Sequence, residues 1–264
     1  MQLSSFAVYG MYVWGASFVA LILTLFYFKR KAISLHIKES PFFTATFKSD
    51  YKEILSNKKY LVSMGTSYVF FLSSLFASYL AVQIAFRDAG NSTTDILLDH
   101  LPVINTDIIF TGGALWFVFL IAVLLFVKPK TFTFTMKALA LLIYTRSLFV
   151  IMTHLGPYPT RIVTELDNFR YVSTGSDLFF SGHTAIPFMM ALLFWQVTSM
   201  RYIYILCSFV AAGAVLLGHL HYTIDVFAAY FITYGVYQFA KYAFDKDYQF
   251  FARSVEYIED GKAL

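Results

Sequence analysis

Apolar residues run along the chain in long stretches bounded by charge, at roughly 5–28, 60–86, 108–127, 138–154, 183–198, 202–218 and 222–243. A helix crossing about 30 Å of hydrocarbon needs about 20 mainly apolar residues, and these runs are too long for barrel strands of about 10. Unpaired backbone groups are costly in lipid, so the runs are read as helices. The pattern predicts an all-α polytopic membrane bundle of seven transmembrane helices. Residues 1–59 read as an N-terminal transmembrane helix with a basic linker, 60–244 as a six-helix core and 245–264 as a tail. The first run is expected to be a retained helix, because no positive charge precedes it and it exceeds the roughly 7–15 apolar residues of a signal peptide.

Composition narrows the class further. Of 264 residues, 58% are hydrophobic and 14% charged, and the mean hydropathy is +0.63. A soluble domain carries about a quarter charged residues, and a disordered chain has low hydrophobicity and high net charge. The single cysteine excludes a disulfide scaffold. A formal charge of +4 does not point to nucleic acid, since what matters is where the basic residues sit. Sixteen of the 20 Lys and Arg lie in 29–59, 128–137, the 199–202 turn and the C-terminal stretch from Lys241 on. Only Arg87, Arg161 and Arg170 fall in the alternate segments, and Arg146 lies inside the fourth run. The positive-inside rule then puts the N-terminus outside and the C-terminus in the cytoplasm. The basic linker reads as a solvated inside loop or as a surface attracting anionic lipid.

On this topology five of the six histidines, His100, His154, His183, His219 and His221, fall on the outer face, and only His36 is inside. Imidazole is the side chain best suited to proton transfer near neutral pH. Two stretches on that face lead into helices: 175–184, with Asp177, Ser181, Gly182, His183 and Thr184, and 218–225, with His219, His221 and Asp225. At a spacing of four, His221 and Asp225 are expected on one helical face. A carboxylate there can fix the tautomer of a histidine nucleophile; the alternative is an interfacial histidine beside a helix-capping acid. Ser181 and Gly182 offer a turn, a hydroxyl and helix-start N–H groups suited to anionic oxygens, with His183 placed to protonate a leaving alkoxide. The alternative is capping by Ser181 or Thr184.

The stretch Asp177-Leu-Phe-Phe-Ser-Gly-His-Thr184 and the stretch His221-Tyr-Thr-Ile-Asp225 resemble the third and fourth motifs of the sphingomyelin synthase family, a branch of the type 2 phosphatidic acid phosphatase superfamily. The resemblance covers 60–244 in architecture and implies a six-helix core with its site facing the lumen, periplasm or exterior. It implies His183, His221 and Asp225 as a catalytic triad. His221 would attack the phosphorus of a lipid headgroup to give a phosphohistidine, Asp225 would orient it, and His183 would act as acid and then base. It implies membrane lipids as partners, a phospholipid donor and a lipid alcohol acceptor, with no cofactor and no metal. Phosphatases of the wider superfamily have Ser-Arg seven and six residues before the second histidine, where this chain has Ala214 and Val215. That departure favours transfer over hydrolysis. Leu101, Pro102 and Asp107 resemble the first motif only in part.

A charge in hydrocarbon costs at least about 2.5 kcal/mol on insertion scales, so Arg146 should have a partner. Its functional roles would be to clamp phosphate or to bind an acid of the site, and its structural role would be a bridge between helices through backbone carbonyls. Asp177 is read as an orienter of the site or as a loop acid, and His219, two before His221, as facing away from it or as supporting it. Three functions compete: headgroup phosphotransferase, lipid phosphate phosphatase with water as acceptor, and transporter or scramblase. A transporter should carry its ionisable residues at mid-membrane, whereas here they gather at one face.

Overall fold

The computed structural model describes residues 41–168 and 175–260. The first expected span, the linker up to residue 40 and Arg170 lie outside the described residues. The chain divides into two compact units, residues 1–53 with 263–264 and residues 54–262. In the first, the described part begins helix α1 (Pro41–Ser56), where Phe47 and Tyr51 sit one turn apart with ring centroids at 4.7 Å. The end of the expected linker is thus helical.

In the second unit α2 (Lys58–Arg87) starts at Asn57, whose side-chain Oδ1 accepts from the Tyr60 N–H at 3.2 Å. A π-helical turn (Ile108–Gly113) leads into α3 (Ala114–Val127), and a 3-10 turn (Pro129–Thr131) into α4 (Phe132–Met152). Then follow α5 (Gly182–Leu193), α6 (Thr198–Leu217), α7 (Thr223–Ala243) and α8 (Asp245–Asp260). All regular elements among the described residues are helical. Helix α2 packs along α4, and α5 packs against α6 and α7. Phe134, Met189, Met190 and Phe194 fill the core where these helices meet. Large apolar side chains such as Phe76, Phe209, Phe231 and Tyr242 point outward, as lipid-facing surfaces do.

Among the described residues four stretches are long and apolar enough to cross a membrane: Lys58–Arg87, Ile108–Val127, Pro129–Met152 and Thr198–Leu217. A helical membrane bundle therefore stands, while the count of seven spans is not established. The expected run 183–198 ends as a helix at Leu193; its 12 residues give about 18 Å at 1.5 Å per residue. The chain turns at Phe194, Trp195 and Gln196 before α6. A continuous apolar run cannot by itself separate one helix from a helix and a turn. For the same reason the expected 138–154 run begins earlier, at Phe132, and ends at Met152.

The expected tail is helix α8, which folds back onto the core. Its Phe251 and Val255 are buried, with Phe251 set against Phe134 and Phe194 at ring-centroid distances of 5.3 and 5.5 Å. A polar cluster fixes the helix: Lys137 Nζ donates to Asp247 Oδ2 at 2.6 Å, and Ser63 Oγ donates to Asp247 Oδ1 at 2.6 Å. Breaking such a pair leaves one charge uncompensated. Asp247→Ala is expected to cost about 3 kcal/mol. Lys137→Met with Asp247→Leu should recover most of that loss. Thermal melts in detergent measure both, and a double variant no better than Asp247→Ala would refute the assignment.

Candidate active site

The two motif stretches meet through a backbone bond. The Ser181 N–H donates to the Asp225 carbonyl at 3.1 Å, joining the first turn of α7 to the residue that caps α5. Two helix starts are thereby held side by side, with His183 on one and the His221–Asp225 pair on the other.

The expected helical pairing of His221 with Asp225 takes a different form. His221 precedes α7, Tyr222 is the N-cap, and Asp225 is the third helical residue. The Asp225 carboxylate folds back, and its Oδ2 accepts from the Tyr222 N–H at 2.9 Å. This is half of a capping box, and it carries Oδ2 to 3.4 Å from His221 Nδ1. Capping acid and histidine partner are therefore the same side chain. Asp225 is fully buried, His221 is 6% exposed, and Asp225 Oδ1 has no hydrogen-bond partner among the described residues. Nδ1 is engaged on the carboxylate side, which leaves Nε2 as the nitrogen that can react.

His183 is half-buried in the first turn of α5, with its ring stacked on Phe110 at a centroid distance of 3.9 Å and an angle of 22°. Phe110 belongs to the π-helical turn, an irregularity frequent at functional sites. Pro187, four residues on, has no N–H for the His183 carbonyl, so α5 is open at that position.

Arg146 reaches across from α4 to the chain before α5. Its Nε donates to the Phe180 carbonyl at 2.9 Å; Nη2 donates to the Asp177 carbonyl at 2.5 Å and to Asp177 Oδ2 at 3.1 Å. These bonds bridge helices through two carbonyls and also bind an acid of the motif stretch, Asp177. Gly182 permits them, because a Cβ there would lie 3.3 Å from Arg146 Nε. Asp177 is the partner of Arg146. Ser181 and Thr184 are fully buried, and Thr184 Oγ1 donates to Ser181 Oγ at 3.3 Å. The Ser181 N–H is given to Asp225 across the joint, and the Thr184 hydroxyl is held within the start of α5. Among the described residues no three His, Cys, Asp or Glu side chains are grouped to hold a metal ion.

The loops on this face tie down the ends of the helices. The N–H groups of Ile104 and Ile162 donate to the carbonyls of Leu217 and Gly218 at 2.8 and 3.1 Å, and Thr106 Oγ1 donates to the Ala214 carbonyl at 2.8 Å. These bonds satisfy the last carbonyls of α6. His219 then takes a left-handed φ of 50°, reversing the chain ahead of His221. Its Nδ1 is 2.6 Å from Thr160 Oγ1 and its ring packs edge-on against Tyr158, which holds the turn. Tyr158 in turn donates its hydroxyl to Asp99, which, with burial added, pushes the phenol up to about 12.

Asp95 is a residue that sequence reasoning missed, since no periodicity marks a loop acid. Its Oδ2 accepts from the Thr223 N–H at 2.7 Å and its Oδ1 from Thr223 Oγ1 at 2.5 Å. It caps α7 from a distant segment, where the helix dipole favours an anion. Phe110 and Pro187 were missed likewise, as neither titrates.

Residues 174–242 match the family model of the PAP2 superfamily C-terminal domain. That segment holds both motif stretches and helices α5, α6 and most of α7. The match supports a place in the type 2 phosphatidic acid phosphatase superfamily, whose members are phosphatases and phosphotransferases. The sphingomyelin synthase branch is a finer reading than the PAP2 match reaches. No curated protein and no solved structure gives a significant match to the chain.

Two outcomes follow from the geometry. Arg146→Lys, which cannot reproduce the guanidinium fork, is expected to lose about 2 kcal/mol from its charged hydrogen bonds, read as a fall in Tm. Asp177→Asn keeps its backbone carbonyl and should lose less. An unchanged Tm in Arg146→Lys would exclude the bridging role. Burial works to raise the Asp95 carboxyl, but hydrogen bonds from Thr223, Leu98 and Leu97 outweigh it and hold the group below the usual carboxylate range. The stability it contributes is therefore complete above the unfolded value of about 3.9 and is lost as pH falls through the lower folded value. The Tm gap between the protein and Asp95→Asn should be widest at neutral pH and close in acid; a gap independent of pH would refute the latch.

Proposed function

We propose that the protein is an integral membrane phospholipid headgroup phosphotransferase of the sphingomyelin synthase type, working at the exoplasmic, lumenal or periplasmic face. The observation that carries the reading is the His221–Asp225 pair, with Asp225 fully buried, held against the α5 start that bears His183. A bundle of apolar helices presents such a site to lipid substrates that arrive laterally. The excess of Lys and Arg on the opposite segments supports the sidedness.

In the first step the His221 Nε2 lone pair forms a bond to the headgroup phosphorus, and the bond from phosphorus to the glycerolipid oxygen breaks. His183, protonated, gives its proton to the departing alkoxide. The product is diacylglycerol and a phosphohistidine whose positive ring faces Asp225. In the second step neutral His183 takes the proton from the hydroxyl of a lipid alcohol such as ceramide. The acceptor oxygen bonds to phosphorus and the N–P bond breaks, restoring His221. Each step balances without a redox partner.

Water in place of the lipid alcohol would make the same machinery a lipid phosphatase. Ala214 and Val215, where phosphatases of the superfamily have Ser-Arg, favour transfer. The assay is purified protein in mixed micelles with headgroup-labelled phospholipid, with and without ceramide. Label is expected in a new lipid only when ceramide is present; release of a soluble labelled headgroup instead would establish hydrolysis. His183→Ala is expected to lower the rate about 10²–10⁴-fold and His221→Ala to abolish it. Full activity in either variant would overturn the mechanism.

A further inference from the structure

A groove of about 620 Å³ opens between α5, α6, α7 and α8. Phe188, Leu192, Phe209, Tyr230 and Phe251 give it apolar and aromatic walls. Neither His183, His221 nor Asp225 lines it. It reaches Leu193 and the Trp195–Gln196 turn, and Leu193 stands ten residues along α5 from His183, about 15 Å at 1.5 Å per residue. The groove therefore runs from Phe188, five residues beyond His183, to the end of the bundle opposite the candidate active site.

Two cations stand over rings that line it. Lys241 Nζ is 5.2 Å from the Tyr237 ring centroid and 5.3 Å from that of Tyr248. The Arg201 guanidinium is 5.2 Å from the Trp195 ring centroid, and its Nη1 donates to the Trp195 carbonyl at 3.2 Å. Among the described residues Lys137, Arg146 and Arg161 each pair with an aspartate, whereas neither Lys241 nor Arg201 faces a carboxylate. Gln196 and Gln238 add amide groups to the same lining.

An apolar groove flanked by cations lacking carboxylate partners has the chemistry of an amphiphile with an anionic head. We infer that the groove binds one anionic glycerophospholipid, with an acyl chain along the α5–α6–α7 walls and the phosphate at Lys241 and Arg201. The inference does not depend on the phosphotransfer chemistry. A neutral lipid would leave the cations unused, and a small soluble anion would leave the aromatic groove unused. Both basic residues belong to segments that the positive-inside rule assigns to the cytoplasm, the leaflet where anionic lipids create a negative surface potential.

The test uses the full-length protein in detergent, given equimolar phosphatidylglycerol and phosphatidylcholine of matched chains, with retained lipid counted by native mass spectrometry. Phosphatidylglycerol is expected to be retained in preference. Lys241→Gln and Arg201→Gln should each reduce that preference about fivefold, the ratio that corresponds to about 1 kcal/mol per surface cation. Lys241→Arg should keep it, which separates loss of charge from loss of fold. Ala252→Phe, narrowing the groove at a lining position, should lower retention of both lipids. Equal retention of the two lipids, a preference unchanged in both Gln variants, or full retention in Ala252→Phe would each overturn the inference. Displacement of the lipid by millimolar inorganic phosphate would overturn it too, since the site would then need no chain.

Discussion

The arrangement on the histidine-bearing face depends on the bond between the Ser181 N–H and the Asp225 carbonyl. Helix starts carry N–H groups without partners inside the helix. In this protein the N–H of the residue that caps α5 is satisfied by the first turn of α7, so neither helix can shift along its axis without losing the contact. His183 and His221 are fixed relative to one another by main chain. Side-chain rotamers then refine a geometry that the backbone has already set.

Around that joint, polar groups are placed so that each charge has a partner. Arg146 spans from α4 to the Asp177–Phe180 segment, Asp95 caps α7, and Asp225 takes the Tyr222 N–H. Burying an unpaired charge among apolar helices costs more than a typical hydrogen bond returns. The pairings therefore help make this arrangement of loops the favoured one. The carboxylate of Asp225 keeps one buried oxygen, Oδ1, without a partner among the described residues. Its charge is less neutralised by hydrogen bonds than that of Asp95.

The helical class was readable because lipid enforces long apolar runs, and the residues of the site because so few polar side chains interrupt them. Helix ends were less readable. Leu193 and Phe194 are equally apolar, so the turn between them leaves no mark in hydrophobicity. Helix α8 was hidden by its mixed composition; only packing of Phe251 and Val255 shows which face it buries. The spacing of His221 and Asp225 suggests one helical face, yet it arises from a cap, because a four-residue interval is common to both geometries. Asp95 and Phe110 stand far from the motifs in sequence, and a single chain carries no signal that brings such segments together.

Under the proposed chemistry, the looseness of the His221–Asp225 contact is itself informative. At 3.4 Å the contact is long for a hydrogen bond, and catalytic hydrogen bonds of this kind commonly tighten only when substrate is bound. Attack through Nε2 places positive charge on the imidazole, and a fully buried carboxylate on its Nδ1 side interacts with that charge far more strongly than with the neutral ring. The interaction grows as the N–P bond forms. The Asp225–His221 contact thus contributes little to the resting state and most to the transition state, which is the condition under which a contact accelerates a step. The unpartnered Oδ1 strengthens this effect, because no second hydrogen bond disperses the charge before the ring acquires its own.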